Sequence, residues 1–275
     1  MSARPRPVAP RARGIPAPRT WSRAEALLAA ILLVLAVVAW VITSRVAMPD
    51  MRTGILTGVR PMEHGTESAS AVAFGLFLGT WVVMMAAMML PAVTPFTVGM
   101  SRLLRARAAQ GHMGALTVGY LLVWGMAGVL GYAVVRGFEA VADGGDAVAV
   151  RVGAGLLLVA GAYQFTPFKR WCLVRCRSPL ALVVRYAKPA TRSRFGAVTV
   201  GVRHGGYCLG CCWALMGVLL AAGVMSLAWM ATIAAVITAE KVLPRGELIS
   251  HLLGGVLIVL GAVLLAAPGL TPAMA

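Results

Sequence analysis

The chain alternates long apolar runs with short charged stretches. A helix needs about 20 consecutive, mostly apolar residues to cross the hydrocarbon core of a bilayer, because every backbone N–H and C=O must be satisfied internally there. On that criterion the pattern predicts an all-α, polytopic transmembrane helix bundle of about seven spans. They run from about Ala24 to Val46, Ala71 to Gly99, Gly114 to Arg136, Val152 to Phe168, Tyr207 to Val224, Ser226 to Ala239 and Leu248 to Ala267. Only Gly223-Val224-Met225-Ser226 separates the fifth run from the sixth, and one bent segment there would reduce the count to six.

Composition supports the same class. Hydrophobic residues make up 60% of the chain and charged residues 12%, with a mean hydropathy of +0.84, far from an average soluble domain. The charge is lopsided: Arg4, Arg6, Arg11, Arg13, Arg19 and Arg23 precede the first run, and Arg102, Arg105 and Arg107 follow the second. Lys169, Arg170, Arg175, Arg177, Arg185, Lys188, Arg192, Arg194 and Arg203 lie between the fourth and fifth, and Lys241 and Arg245 follow the sixth. Basic residues beside a span resist export, so these segments are expected on the cytoplasmic side. Asp50, Glu63, Glu67, Glu139, Asp143 and Asp146 fall in the opposite loops.

The formal charge of +16 is therefore a record of topology and of contact with lipid headgroups. No aromatic interleaving or base-reading motif accompanies it, which argues against nucleic acid as a partner. Residues 1–20 are rich in Pro, Arg and Ala and are expected to form a disordered basic tail in the cytoplasm. The first run is longer than a signal-peptide core and has no clear cleavage site, so it is expected to stay as an anchor. Residues 21–275 then form one transmembrane helical domain with a basic cytoplasmic loop at about 169–206.

Within this apolar frame the chemistry-bearing residues cluster. All five cysteines fall in two groups, Cys172/Cys176 and Cys208/Cys211/Cys212. If the stretch around the first pair is helical, its four-residue spacing puts both sulfurs on one face, and Pro179 would soon end that helix. The second group falls within an arc of roughly 100° on a helix, with His204 one turn before it and Met216 one turn after. Gly205 and Gly206 bring helical continuity at His204 into question. Both groups lie toward the same boundary, so five sulfurs and one imidazole are expected to meet there. Thiolates and imidazole are ligands for copper(I), zinc and iron–sulfur clusters, and buried free thiols are the ordinary alternative.

A second sulfur-rich patch, W-V-V-M-M-A-A-M-M-L-P, places Met84, Met85, Met88 and Met89 on one broad side of the second span. Thioethers suit copper(I), although methionine also fills gaps between helices. Pro91 and Pro95 are expected to kink this helix and line a cavity. Glu240 and Lys241 close the sixth span, where a carboxylate calls for a partner. Tyr163 and Gln164 are placed to support the site by hydrogen bonding, and His251 reads as a packed histidine. No Gly-rich phosphate loop, G-x-S-x-G, H-E-x-x-H or C-x-x-C-H is present, so no enzymatic activity is assigned.

The Met-rich string, Y-Q-F-T-P-F-K followed by C-x-x-x-C, and R-H-G-G-Y-C-L-G-C-C-W-A-L-M followed by A-E-K-V-L-P together resemble an uncharacterised bacterial family described as predicted metal-binding integral membrane proteins. The likeness extends from about Ala71 to Pro244. It implies a multi-pass protein of the bacterial inner membrane, N-terminus in the cytoplasm, with a metal site at the cysteines. The residues themselves point to a soft ion, copper(I) before zinc, handled in company with a metal donor or acceptor protein. A membrane thiol–disulfide protein cycling Cys208/Cys211, with Arg203 lowering a thiol pKa, and a non-catalytic assembly subunit are the alternatives. Oligomeric state is not legible.

Overall fold

The computed structural model describes residues 22–46, 71–142, 146–177, 179–222 and 226–267. The basic tail at 1–20, the segment carrying Asp50, Glu63, His64 and Glu67, Asp143, and the break at 223–225 lie outside the described residues. Within them the chain forms nine helices and no strand. These are α1 (Arg23–Val46), α2 (Ala71–Ala106), α3 (His112–Ala142), α4 (Asp146–Gln164), α5 (Pro167–Arg177), α6 (Pro179–Arg192), α7 (Arg194–Ala222), α8 (Leu227–Val242) and α9 (Gly246–Ala266).

Four of these, in α1, α2, α3 and α9, are long and apolar enough to cross a membrane, fewer than the seven spans expected from the sequence. A shorter apolar helix runs from Val150 to Gln164, and α8, at 16 residues, is short of the roughly 20 that a span needs. The basic stretch at about 169–206 is built of helices, α5, α6 and the first turns of α7. Its starts follow local rules. Proline opens both α5 and α6, at the position where a missing N–H costs nothing, and Ser193 Oγ accepts a hydrogen bond from Gly196 N at 3.0 Å to cap α7.

Small residues let the helices approach closely. On α7, Gly201 faces the backbone of Leu116 on α3, while Gly119 of α3 faces Val198 of α7. On the α4–α9 contact, Gly161 and Gly254 lie against each other's carbonyls. α2 continues as a helix through Pro91 and Pro95, and Pro91 lines a cavity of about 420 Å³ with Met88 and Trp40. Along α1, Leu27, Val34, Val37 and Val41 are exposed, the surface expected of a helix facing an apolar medium.

One buried cluster gathers Trp81, Met84, Met85, Met88, Met89, Cys172, Cys208, Cys211, Cys212 and Met216. The soft atoms of α2, α5 and α7 thus share a single core.

Candidate metal-handling site

α5 turns one face inward, burying Lys169, Cys172 and Leu173 at the i, i+3, i+4 spacing of one helical stripe. α7 runs unbroken through Gly205 and Gly206, so the glycine pair is not a hinge. Gly205 serves close packing instead, since a Cβ there would stand 3.0 Å from Val123 on α3. His204, Cys208, Cys211, Cys212 and Met216 consequently sit on one continuous helix.

All five cysteines are free thiols. Cys211 Sγ lies 3.8 Å from Cys176 Sγ across the α5–α7 contact. With metal–thiolate bonds of about 2.3 Å, two sulfurs at that separation are within reach of one ion. Cys211 and Cys212 donate their thiol hydrogens to the Cys208 carbonyl, at 3.1 and 3.0 Å. Cys211 thus comes near a sulfur on another helix, a contact that the C-x-x-C spacing does not signal. Cys172 Sγ presses against α7 at Gly210, where an added Cβ would stand 2.7 Å away, and Tyr163 donates to the Gly210 carbonyl. Burial pushes the Cys172 thiol up to about 11, with Cys211 adding to the shift and Arg175 opposing it, so this cysteine is a protonated thiol at neutral pH.

Two buried lysines frame the sulfurs. Lys241 Nζ donates to Cys208 Sγ at 3.0 Å and to Met89 Sδ at 3.8 Å, linking α8 to the cysteine helix and to the Met patch of α2. Tyr120 of α3 also approaches Cys208 Sγ, at 3.6 Å. Lys169 Nζ pairs with Glu240 at 2.8 and 3.0 Å, both side chains 1% exposed. It also donates to Gln164 Oε1, which accepts from Ser250 Oγ at 3.0 Å. The partner of Glu240 is thus Lys169 on α5, not its neighbour Lys241.

The remaining candidates make contacts of their own. His204 is 4% exposed and its ring stacks on Phe96 at 3.8 Å between centroids and on Tyr120 at 5.8 Å. Its Nδ1 has no hydrogen-bond partner among the described residues. His251 is exposed and stacks on Phe165 at 5.3 Å. Arg203 lies over the ring of Tyr186, 5.7 Å from its centroid. Among the described residues no three His, Cys, Asp or Glu side chains form a ready-made metal-holding group, so the single site of five sulfurs and an imidazole resolves into a sulfur pair with further soft atoms around it.

Sequence reasoning placed Lys169 and Lys241 among topological charges and missed Tyr120 altogether. A signal for the lysines existed: each stands beside an apolar helix at the spacing that turns it inward with a cysteine or isoleucine.

No curated protein and no solved structure matches the chain. Residues 77–264 match the family PpoB2, described as a copper chaperone, a segment that begins within α2, ends within α9 and contains every sulfur discussed above. Over that matched core the chain belongs to the PpoB2 copper-chaperone family.

Proposed function

We propose that the protein is a membrane-integrated copper chaperone whose cargo, copper(I), is held between Cys176 of α5 and Cys211 of α7. The observation that carries this reading is the 3.8 Å approach of those two sulfurs from separate helices, inside a core that also buries Cys208, Cys212 and Met89. Soft thiolate and thioether donors select copper(I) over harder ions, and the family description names copper and not zinc. Copper(I) accepts as few as two sulfur ligands, which suits a site without a preformed triad of donors.

Two thiolates and one monovalent ion leave one negative charge in a buried place. The ammonium of Lys241, 3.0 Å from Cys208 Sγ, compensates that charge. Cys172, Met84, Met85, Met88 and Met216 extend the soft surface on either side, and His204 offers an unpartnered nitrogen one turn from Cys208. The exposed apolar face of α1 and the four span-length helices support residence in a membrane, and the basic segments favour the bacterial inner membrane with the N-terminus in the cytoplasm. Cargo would pass to an acceptor protein.

The test is copper content of the purified full chain after anaerobic loading and passage over a copper(I) chelator. The parent is expected to retain copper, and Cys176→Ser/Cys211→Ser to lose it while keeping its helical circular dichroism. Equal retention by the two proteins, or retention of zinc alone by the parent, rejects the reading.

A further inference from the structure

A cavity of about 420 Å³ opens between α5, α6 and α7, within the size range of small-molecule sites. Cys172 forms part of its lining, although the residue is only 1% exposed. The same sulfur presses on Gly210, in the turn of α7 that carries Cys208, Cys211 and Cys212. The cavity therefore ends at the edge of the sulfur core.

Its other walls are polar and cationic. Arg185 and Arg203 both line it, both are exposed, and neither forms an ion pair among the described residues. Tyr186 and Tyr207 also line it, their hydroxyls 3.2 Å apart. Trp171 is covered by the guanidinium of Arg175 at 3.6 Å. Gly206 lines the space and has nothing within 4 Å of where its Cβ would stand, so any larger residue there would project into open volume. Among the described residues no acidic side chain lines the cavity.

Two guanidiniums without a carboxylate partner among the described residues, with tyrosine hydroxyls nearby, are donors for carboxylate, which arginine binds in a two-pronged manner. A thiol at the inner end adds an acceptor for a soft ion. A ligand matching both chemistries carries carboxylates at one end and a metal-bound sulfur at the other. We propose that this cavity receives copper(I) as its complex with a small, carboxylate-bearing thiol, and that Cys172 is the first protein sulfur to take the ion.

The proposal rests on the copper-chaperone reading and adds the form in which cargo arrives. The transfer is a ligand exchange. A copper–sulfur bond to Cys172 forms as the bond to the carrier sulfur breaks, and the Cys172 proton leaves on the carrier as its thiol. Copper stays monovalent, so no oxidant or reductant enters.

The experiment compares loading of the full chain, in neutral detergent, from copper(I)–glutathione and from copper(I) held by dithiothreitol, an uncharged dithiol. The measured quantity is the ratio of the two loading rates. Arg185→Gln/Arg203→Gln is expected to lower that ratio by about tenfold, the worth of one charge-assisted hydrogen bond. Gly206→Val, which fills the cavity without changing charge, is expected to lower it too. An unchanged ratio in both variants overturns the proposal.

Binding of copper-free glutathione, followed by equilibrium dialysis, separates the two readings. If the parent takes copper from neither carrier yet binds glutathione through Arg185 and Arg203, the chaperone reading fails and the anion cavity stands. If it loads copper but binds no glutathione, the cavity proposal fails alone. Repeating the dialysis in nanodiscs of phosphatidylcholine and of phosphatidylglycerol tests the other source of an anion. Glutathione binding is expected in both. Its absence in both, with the arginines instead required for retention of phosphatidylglycerol, makes the cavity a lipid-headgroup site and overturns the proposal.

Discussion

Lys169 and Lys241 are both buried and both come from elements at the edge of the apolar core, yet they meet opposite chemistry. Lys169 faces the carboxylate of Glu240 and the amide oxygen of Gln164. Lys241 faces a thiol and a thioether and forms no ion pair with a carboxylate among the described residues. A buried charge with a matched counter-charge is a structural element whose loss leaves its partner stranded. A buried charge beside sulfur has no fixed counter-charge, and metal loading supplies one by requiring deprotonated thiols in the same core. Glu240 and Lys241 are adjacent in sequence, so α8 delivers the structural half of one pair and the functional half of the other from one turn.

The largest expected effect tests the structural side. Lys169→Leu or Glu240→Leu alone is expected to destabilise the protein by about 3–5 kcal/mol, because each leaves a buried charge without its partner. The double substitution is expected to recover most of that loss, measured as thermal unfolding in detergent and read as a double-mutant cycle. Additive losses in the double variant would show that the two side chains act separately.

Lys241→Met sharpens the other side. It keeps the length and apolar stem of the lysine and removes the charge, so the fold is expected to hold. Copper(I) affinity, measured by chelator competition, is expected to fall about ten- to hundredfold, the worth of a hydrogen bond to a charged group. If Lys241→Met instead unfolds the protein as Lys169→Leu does, the two lysines play the same role and the contrast collapses.

The smallest effect falls on His204. His204→Phe preserves the stack on Phe96 and removes the unpartnered Nδ1, so stability is expected to stay within about 1 kcal/mol of the parent. Copper affinity is expected to drop less than for Lys241→Met. A complete loss of copper would make the imidazole a primary ligand and shift the centre of the site toward α3.

Much of the local structure was legible in the residue pattern. The apolar runs located α1, α2, α3 and α9, and the four-residue spacing of Cys172 and Cys176 anticipated α5. The helices α6 and the start of α7 within the basic stretch after Gln164 were less legible, because hydropathy averages over a helix whose one buried face is short and whose other faces carry arginine. Gly205 and Gly206 pointed to a break for a similar reason. Glycine is costly in an isolated helix, whereas here one of the two buys close contact with α3, a benefit that exists only once α3 is in place.

For the candidate site, spacing grouped Cys208, Cys211, Cys212 and Met216, which share one buried cluster. The contact between Cys211 and Cys176 lay beyond it, since spacing along one helix says nothing of a sulfur brought in by another.

Residue identity by itself determined the apolar helical class and the soft donor chemistry, because these follow from side-chain hydration and helical period. Tertiary structure decided that Cys211 meets Cys176, that Glu240 turns to Lys169 and that Lys241 turns to Cys208. Those choices depend on which helix faces pack together, and no local rule fixes a contact between residues separated by 33, 35 or 71 positions.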